Sequence, residues 1–189
     1  GRADYAFIQH ILKSMDPKSG RCAILLPHGV LFRNEESEMR EKLVRSDLVE
    51  AVIGLGANLF FNSPMEACIL ICRSEKAPNR RKEILFVDAS AEVTRKNAQS
   101  YLESRHIQRI VEAYRSDEDI EGFSSHASFS KIEDNAFSLS IPLYVKPSDD
   151  ENTDDRSIEE TIGSWRTAST EAASLLDDIA AKLHENDGE

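Results

Sequence analysis

A chain of 189 residues with 40% hydrophobic content, eight Gly, six Pro and three Cys can close one core of ordinary size. That composition excludes collagen-like, low-complexity and disulfide-scaffold proteins. The longest apolar runs reach about half the length of a bilayer span, and the first residues lack the features of a signal peptide, so a cytoplasmic protein is expected. The formal net charge of −11 is unevenly spread: residues 1–147 hold 20 Lys+Arg and 21 Asp+Glu, whereas residues 148–189 hold 3 and 13. The acidity therefore belongs to the C-terminal stretch. Residues 1–82, with 13 basic and 10 acidic side chains, could face a phosphate backbone without large repulsion.

In chain order, apolar positions Phe7, Ile8, Ile11, Leu12 and Met15 recur at helical spacing and predict a helix over 3–15 with that set facing a core. Asp16, Pro17 and Gly20 stop it. The continuous apolar run 22–26, between Gly20 and Pro27, predicts a strand buried on both faces. A charged helix follows over 35–46, with Met39 and Leu43 expected inward. Strands are expected over 49–53, 66–73 and 83–87, with 74–82 an exposed connection. Because the last of these strands follow one another without helices between them, at least one should run antiparallel in an α/β sheet. Beyond them, 105–115 reads as helical, 123–135 as irregular and 139–145 as extended. Cys22, Cys68 and Cys72 lie inside the strand-like runs and read as buried thiols; no second ligand pair accompanies Cys68 and Cys72 to make a zinc site.

The C-terminal stretch reads as a separate element. Residues 148–155 form an acidic linker, after which Ser157 and Glu160 make the pattern of a capping box. From there Ile158, Trp165, Ala172 and Ile179 recur every seven residues, interleaved with Ile162, Ser169, Leu176 and Leu183. This predicts a heptad-patterned helix over 156–186 for subunit association. Gly163 and Ser169 weaken the seam, so an amphipathic helix packed on its own domain is the alternative.

Two loops carry the features that a packed core does not need. Pro27, His28 and Gly29 follow the first strand, where open α/β sheets place their ligands just beyond the carboxyl ends of strands. The second loop, Asn58-Leu59-Phe60-Phe61-Asn62-Ser63-Pro64, leads into the strand over 66–73. If its backbone is extended, Phe60 and Phe61 cannot both point inward. His28 is equally suited to contact a ligand or to cap its loop, and Asp4 either complements the dipole of the first helix or contributes to a cofactor site. The only Gly-x-Gly, Gly54-Leu55-Gly56, has no third Gly and leads into no helix, so it is no dinucleotide loop.

Eight pieces in one order then become informative together: Ala3 to Ile8, Gly20 to Phe32, Leu48 to Leu55, Ala57 to Phe61, Cys68 to Leu70, Ile84 to Ser90, Gly122 to Ser124, and Ser140 to Val145. In this order the chain resembles the modification (M) subunit of type I restriction–modification enzymes, over nearly all of residues 1–147. That family comprises N6-adenine DNA methyltransferases, which move a methyl group from S-adenosylmethionine to adenine within a complex that also holds a specificity subunit and a restriction subunit.

The resemblance implies the C-terminal half of a Rossmann-like S-adenosylmethionine-dependent methyltransferase sheet, over 1–147, followed by a C-terminal amphipathic helix. It implies that strands 22–26, 66–73 and 49–53 lie side by side in that order with the middle one antiparallel. An aromatic wall for the extruded target base falls to Phe60 or Phe61, with Asn62 as a hydrogen-bonding neighbour, and Asp4 is the one candidate toward the methyl donor. Gly56 stands where the family usually has Pro, a departure expected to loosen the loop. The family's Gly-rich donor loop and its catalytic Asn-Pro-Pro-Phe do not occur in this sequence, so the chain alone is expected to be inactive. A bare edge on strand 22–26 would favour self-association. The alternative is a non-catalytic module that holds partner subunits through that edge and the C-terminal helix.

Overall fold

The computed structural model describes residues 3–61, 63–97 and 99–146, and 162, 165–167, 169 and 170 of the C-terminal stretch. The chain divides into two compact units, Gly1–Ser148 and Asp149–Glu189. In the second, the described residues Ile162, Trp165, Arg166, Thr167, Ser169 and Thr170 are helical. The acidic linker and the remaining heptad positions lie outside the described residues.

The first unit is a mixed sheet between helical layers. Strands β1 (Arg21–Pro27), β2 (Val49–Leu55), β3 (Ala67–Arg73), β4 (Glu83–Ala89) and β7 (Ser124–Ser128) stand in the order β1-β3-β2-β4-β7. The neighbours β1/β3, β3/β2 and β4/β7 are antiparallel and β2/β4 is parallel. This is the order and direction expected for the first three. β2 is apolar on both faces because it lies inside the sheet, with Val52 opposite Leu70 and Phe86. On one face, helix α1 (Asp4–Ser14) and helix α2 (Ser37–Arg45) bury Tyr5, Ile8, Leu43 and Val44 among Val52, Leu70 and Phe86. On the other, helix α3 (Ser104–Arg115) sets Ala113 among Ile53, Leu85 and Val87.

Several expectations are corrected. β1 is not buried on both faces: among the described residues its outer edge has no strand partner, and Ala23 and Leu25 are exposed. In α1, Phe7 points outward at 66% exposure. In α2, Met39 is exposed and Arg40 is buried in its stead, because its guanidinium donates from Nε to Phe137 O (2.9 Å) and from Nη1 to Arg33 O (2.9 Å). The connection 74–82 hides Lys76, whose Nζ meets Asp47 Oδ1 at 2.7 Å and Glu83 O at 2.8 Å. Residues 123–135 are regular after all: β7 is followed by α4 (Phe129–Asp134), with Ser128 Oγ accepting from Lys131 N–H as its N-cap. Residues 139–145 are not extended; Ile141–Leu143 form a 3₁₀ turn. The sequence also gave no sign of β5 (Thr94–Lys96) and β6 (Gln99–Tyr101), a hairpin of three-residue strands.

Two buried phenols make the fold sensitive to alkali. The Tyr5 hydroxyl donates to Val30 O at 3.1 Å, and burial pushes its pKa up to about 12 against the opposing pull of Arg40. Tyr144, stacked on Phe86 with centroids 4.0 Å apart, is likewise pushed up to about 12 by burial. Because both folded values lie above the ordinary 10.0, their stabilisation is full below pH 10 and is lost as pH rises to about 12. Two units correspond to a few kcal/mol at most per group, on the order of 3. Thermal melts followed by circular dichroism should therefore show Tm falling steeply across that window, and less steeply in Tyr5→Phe.

Candidate functional site

The site is built where β1 ends and β3 begins. Pro27 lies opposite Ala67, and past it the chain turns through the 3₁₀ segment His28–Leu31, anchored by buried Val30 and Leu31. The second loop enters β3 beside it. Backbone and side chain both join them: His28 N–H donates to Glu66 O at 3.4 Å, and His28 Nδ1 lies 3.3 Å from Glu66 Oε2. The imidazole meets Phe32 edge-on, 6.2 Å between centroids, and its buried Nε2 has no hydrogen-bond partner among the described residues. His28 thus links the two loops. A groove of about 180 Å³ runs between them, with Leu25, Pro27, Phe60, Ser63, Met65 and Glu66 along its walls.

The backbone around Phe60 and Phe61 is not extended: Phe60 and Ser63 bridge across a turn that carries Phe61, and it is this turn that parts the two rings. Phe60 is half-buried and packs against the core on the α3 side, whereas Phe61 is 91% exposed. Ser63 N–H donates to Phe60 O at 3.1 Å and so holds the chain on either side of Phe61. Asn62 lies outside the described residues. Asn58 adopts φ 60°, and its carbonyl accepts from Ser100 N–H and Gln99 Nε2, both at 2.9 Å, so the β5–β6 hairpin braces the loop from behind. Gly56 lets it pack closely. A Cβ there would stand 2.4 Å from Ser90 O, so the missing side chain lets the loop close onto residues 90–93.

Asp4 is held apart from this groove. Its Oδ2 takes Arg33 Nη1 at 3.0 Å, and Arg33 also reaches Glu36 at 3.4 Å. Gly29 makes that possible, since a Cβ there would meet Arg33 Nε at 2.6 Å; the guanidinium lies over the bare backbone. The structure therefore brings Pro27, His28 and Phe60 together and connects Gly29 to Asp4 through Arg33. Sequence reasoning missed Glu66, Met65 and Ser63 as neighbours of the groove, and nothing in their local pattern marks them.

The sequence profile described as N-6 DNA Methylase matches residues 1–153. The chain belongs to the N-6 DNA methylase family. Two curated relatives of this N-6 DNA methylase chain are methylase subunits of type I restriction enzymes from Methanocaldococcus jannaschii. MjaVIII is 34% identical over 157 residues, covering 80% of this chain and 27% of the relative; MjaVII is 33% identical over 184 residues, covering 94% and 30%. The crystal structure of a type I restriction-modification system methyltransferase subunit from Streptococcus thermophilus superposes with a TM-score of 0.72 at 40% identity, over 77% of this chain and 31% of that one. The EcoKI M protein shares the fold, with a TM-score of 0.64 at 17% identity. The N-6 DNA methylase chain thus spans about three tenths of the length of the curated relatives it matches.

Proposed function

We propose that this chain is the C-terminal part of the modification subunit of a type I restriction–modification enzyme, and that it supplies one wall of the pocket for an adenine swung out of duplex DNA. The observation that carries the reading is Phe61, 91% exposed beside a groove lined by Phe60 and Pro27 at the carboxyl end of β1. An enzyme that alters a base inside a duplex must extrude it, and an extruded base is held by aromatic faces. In this role Phe61 stacks on the base, Asn62 is the hydrogen-bonding neighbour, Phe60 seats the loop, and Pro27, His28 and Gly29 fix the opposing loop against it.

S-adenosylmethionine supplies the methyl group when bound. The Gly-rich donor loop of the family is not in this sequence, and Asp4, the candidate here, has one carboxylate oxygen engaged by Arg33. The adenine amino group is a poor nucleophile, so the chemistry consists mainly of alignment: held base, fixed angle of approach, excluded water. The residues of this chain serve the first of these. The heptad-patterned stretch 156–186, which follows the acidic residues 148–155, is assigned to docking on the specificity subunit in the cytoplasm.

The full-length subunit, combined with its specificity subunit and tritiated donor, should label duplex DNA at N6 of adenine; label at cytosine, or none, would overturn the reading. The bare edge of β1 has a consequence of its own, because unpaired strand edges template pairing with other chains. Light scattering should show this 189-residue chain self-associating at micromolar concentration. A version ending at Pro147 separates edge from helix: association lost only in the shorter chain assigns it to the helix, and a monomer in both refutes it.

A further inference from the structure

The hairpin β5–β6 stands on the same rim of the sheet as the groove. β1 and β2 both run antiparallel to β3, and β4 runs parallel to β2, so the carboxyl ends of β1, β2 and β4 share one edge. From that edge leave the turn at Pro27, the aromatic loop after Leu55 and, shortly after Ala89, the hairpin. Its second strand is fastened to the aromatic loop by the two hydrogen bonds on Asn58 O. A tight turn entered through Asn97 at φ 56° closes the hairpin and fixes its register.

The register sorts the side chains. Thr94 stands opposite Tyr101, Arg95 opposite Ser100 and Lys96 opposite Gln99. Side chains alternate along a strand and cross-strand partners share a face, so Lys96, Gln99 and Tyr101 project on one side and Arg95 with Ser100 on the other. Ser100 is buried, which makes its side the inner one, whereas Lys96 and Tyr101 are exposed. Those two are diagonal neighbours, about 7–8 Å apart. The acids that flank the hairpin are already matched: Glu92 pairs with Arg109, and Glu103 with Arg105 at 3.0 Å. Neither the Lys96 ammonium nor the Tyr101 hydroxyl meets a partner among the described residues. Beside Tyr101 the outer face carries only Thr94, Gln99 and Lys96, too polar for the centre of a protein contact.

We propose that Lys96 and Tyr101 hold the phosphate backbone of the DNA strand that carries the extruded adenine. The inference rests on the reading of the neighbouring loop as a wall of the base pocket. An ammonium and a phenol side by side are donors of the kind that take phosphate oxygens, and such contacts fix the register of a duplex without reading its sequence. The distances suit that role. Three residues of chain, Asn58 to Phe61, reach at most about 11 Å, and hairpin partners stand about 5 Å apart, so the Lys96 backbone lies within about 20 Å of Phe61. Phosphates of one strand recur about every 3.4 Å along the axis, so the contact falls no more than about six nucleotides from the extruded base. Through Asn58 the grip on the backbone and the placing of the aromatic ring become one rigid unit.

The salt dependence of binding tests this in the full-length subunit assembled with its specificity subunit, on a fluorescent duplex carrying the sequence the complex methylates. Lys96→Gln should weaken binding about three- to tenfold and reduce the slope of log K against log salt by about 0.9, the loss of one phosphate contact. Lys96→Arg should restore the slope, Tyr101→Phe should weaken binding with the slope kept, and Arg95→Gln on the inner face should bind as the unaltered protein does. An unchanged slope in Lys96→Gln would overturn the proposal, and so would equal losses in Lys96→Gln and Arg95→Gln, which mark a diffuse field and no contact. Lys96→Gln that impairs assembly with the specificity subunit and leaves the slope alone would assign the side chain to that partner and overturn it as well. Methylation untouched by loss of Phe61, with the slope still lost in Lys96→Gln, would sink the base-pocket reading alone.

Discussion

Phe61→Ala in the full-length subunit should reduce methylation of duplex DNA by between about 5- and 150-fold while donor affinity stays nearly unchanged. Stacking of a base on an aromatic ring is worth roughly 1–3 kcal/mol, and the whole of that difference is felt if the ring holds the extruded adenine during transfer. At 91% exposure Phe61 supports almost nothing else, so its removal should leave the melting temperature in place. Phe60→Ala is the informative contrast. That ring is half-buried against the core of Ile53, Leu55 and Val87, and truncation should lower stability along with activity. Steady-state tritium transfer, with melts on the same preparations, separates the two; a Phe61→Ala enzyme with unchanged turnover would remove the ring from the pocket.

The chain by itself should transfer no methyl group above the blank and should bind no S-adenosylmethionine in a calorimeter at micromolar concentration. The family aligns the adenine amino group through its Asn-Pro-Pro-Phe, and no such run occurs among these 189 residues. Alignment of that kind can account for roughly 7–11 kcal/mol of a barrier, so the proposed pocket wall without it should show no measurable turnover. Clear donor binding by this chain would show that a donor site is complete within it, against the reading given above.

The parts of the fold legible in the sequence are those whose physics is local. β2 and β4 announce themselves as apolar runs because both faces of each are covered, and β3 does so with one face buried and Ile69 and Ile71 half-buried on the other. The same logic misplaced β1, whose run Cys22 to Leu26 is as apolar as theirs but lies at the border of the described sheet, so burial of its second face could not be read from pattern. β7, Ser-Ser-His-Ala-Ser, was invisible for the opposite reason: its place is fixed by pairing with β4, not by apolar alternation. In the site, the aromatic loop and the Pro27 turn were visible because their residue types are out of place in a core. Glu66 and the bracing by Gln99 and Ser100 were not, since each depends on a partner 38 or more residues away. Arg40 and Lys76 show the same limit: a charged residue in a charged stretch reads as solvated until the carbonyls that accept from it are known.

Arg40 also determines where the chain can be divided. Its guanidinium is buried and reaches forward to the carbonyl of Phe137, while Leu31 O accepts from Leu139 N–H at 2.8 Å, so the last stretch before residue 146 is fastened across the turn that follows β1. Any split version that stops ahead of Phe137 would strip one acceptor from a buried cation and uncover Leu31 and Phe86 together. A two-fragment reassembly of this protein, whether for expression or for a reporter, should therefore place its break in the exposed polypeptide near residue 118 only if both pieces are made together, and a lone piece must run through Val145.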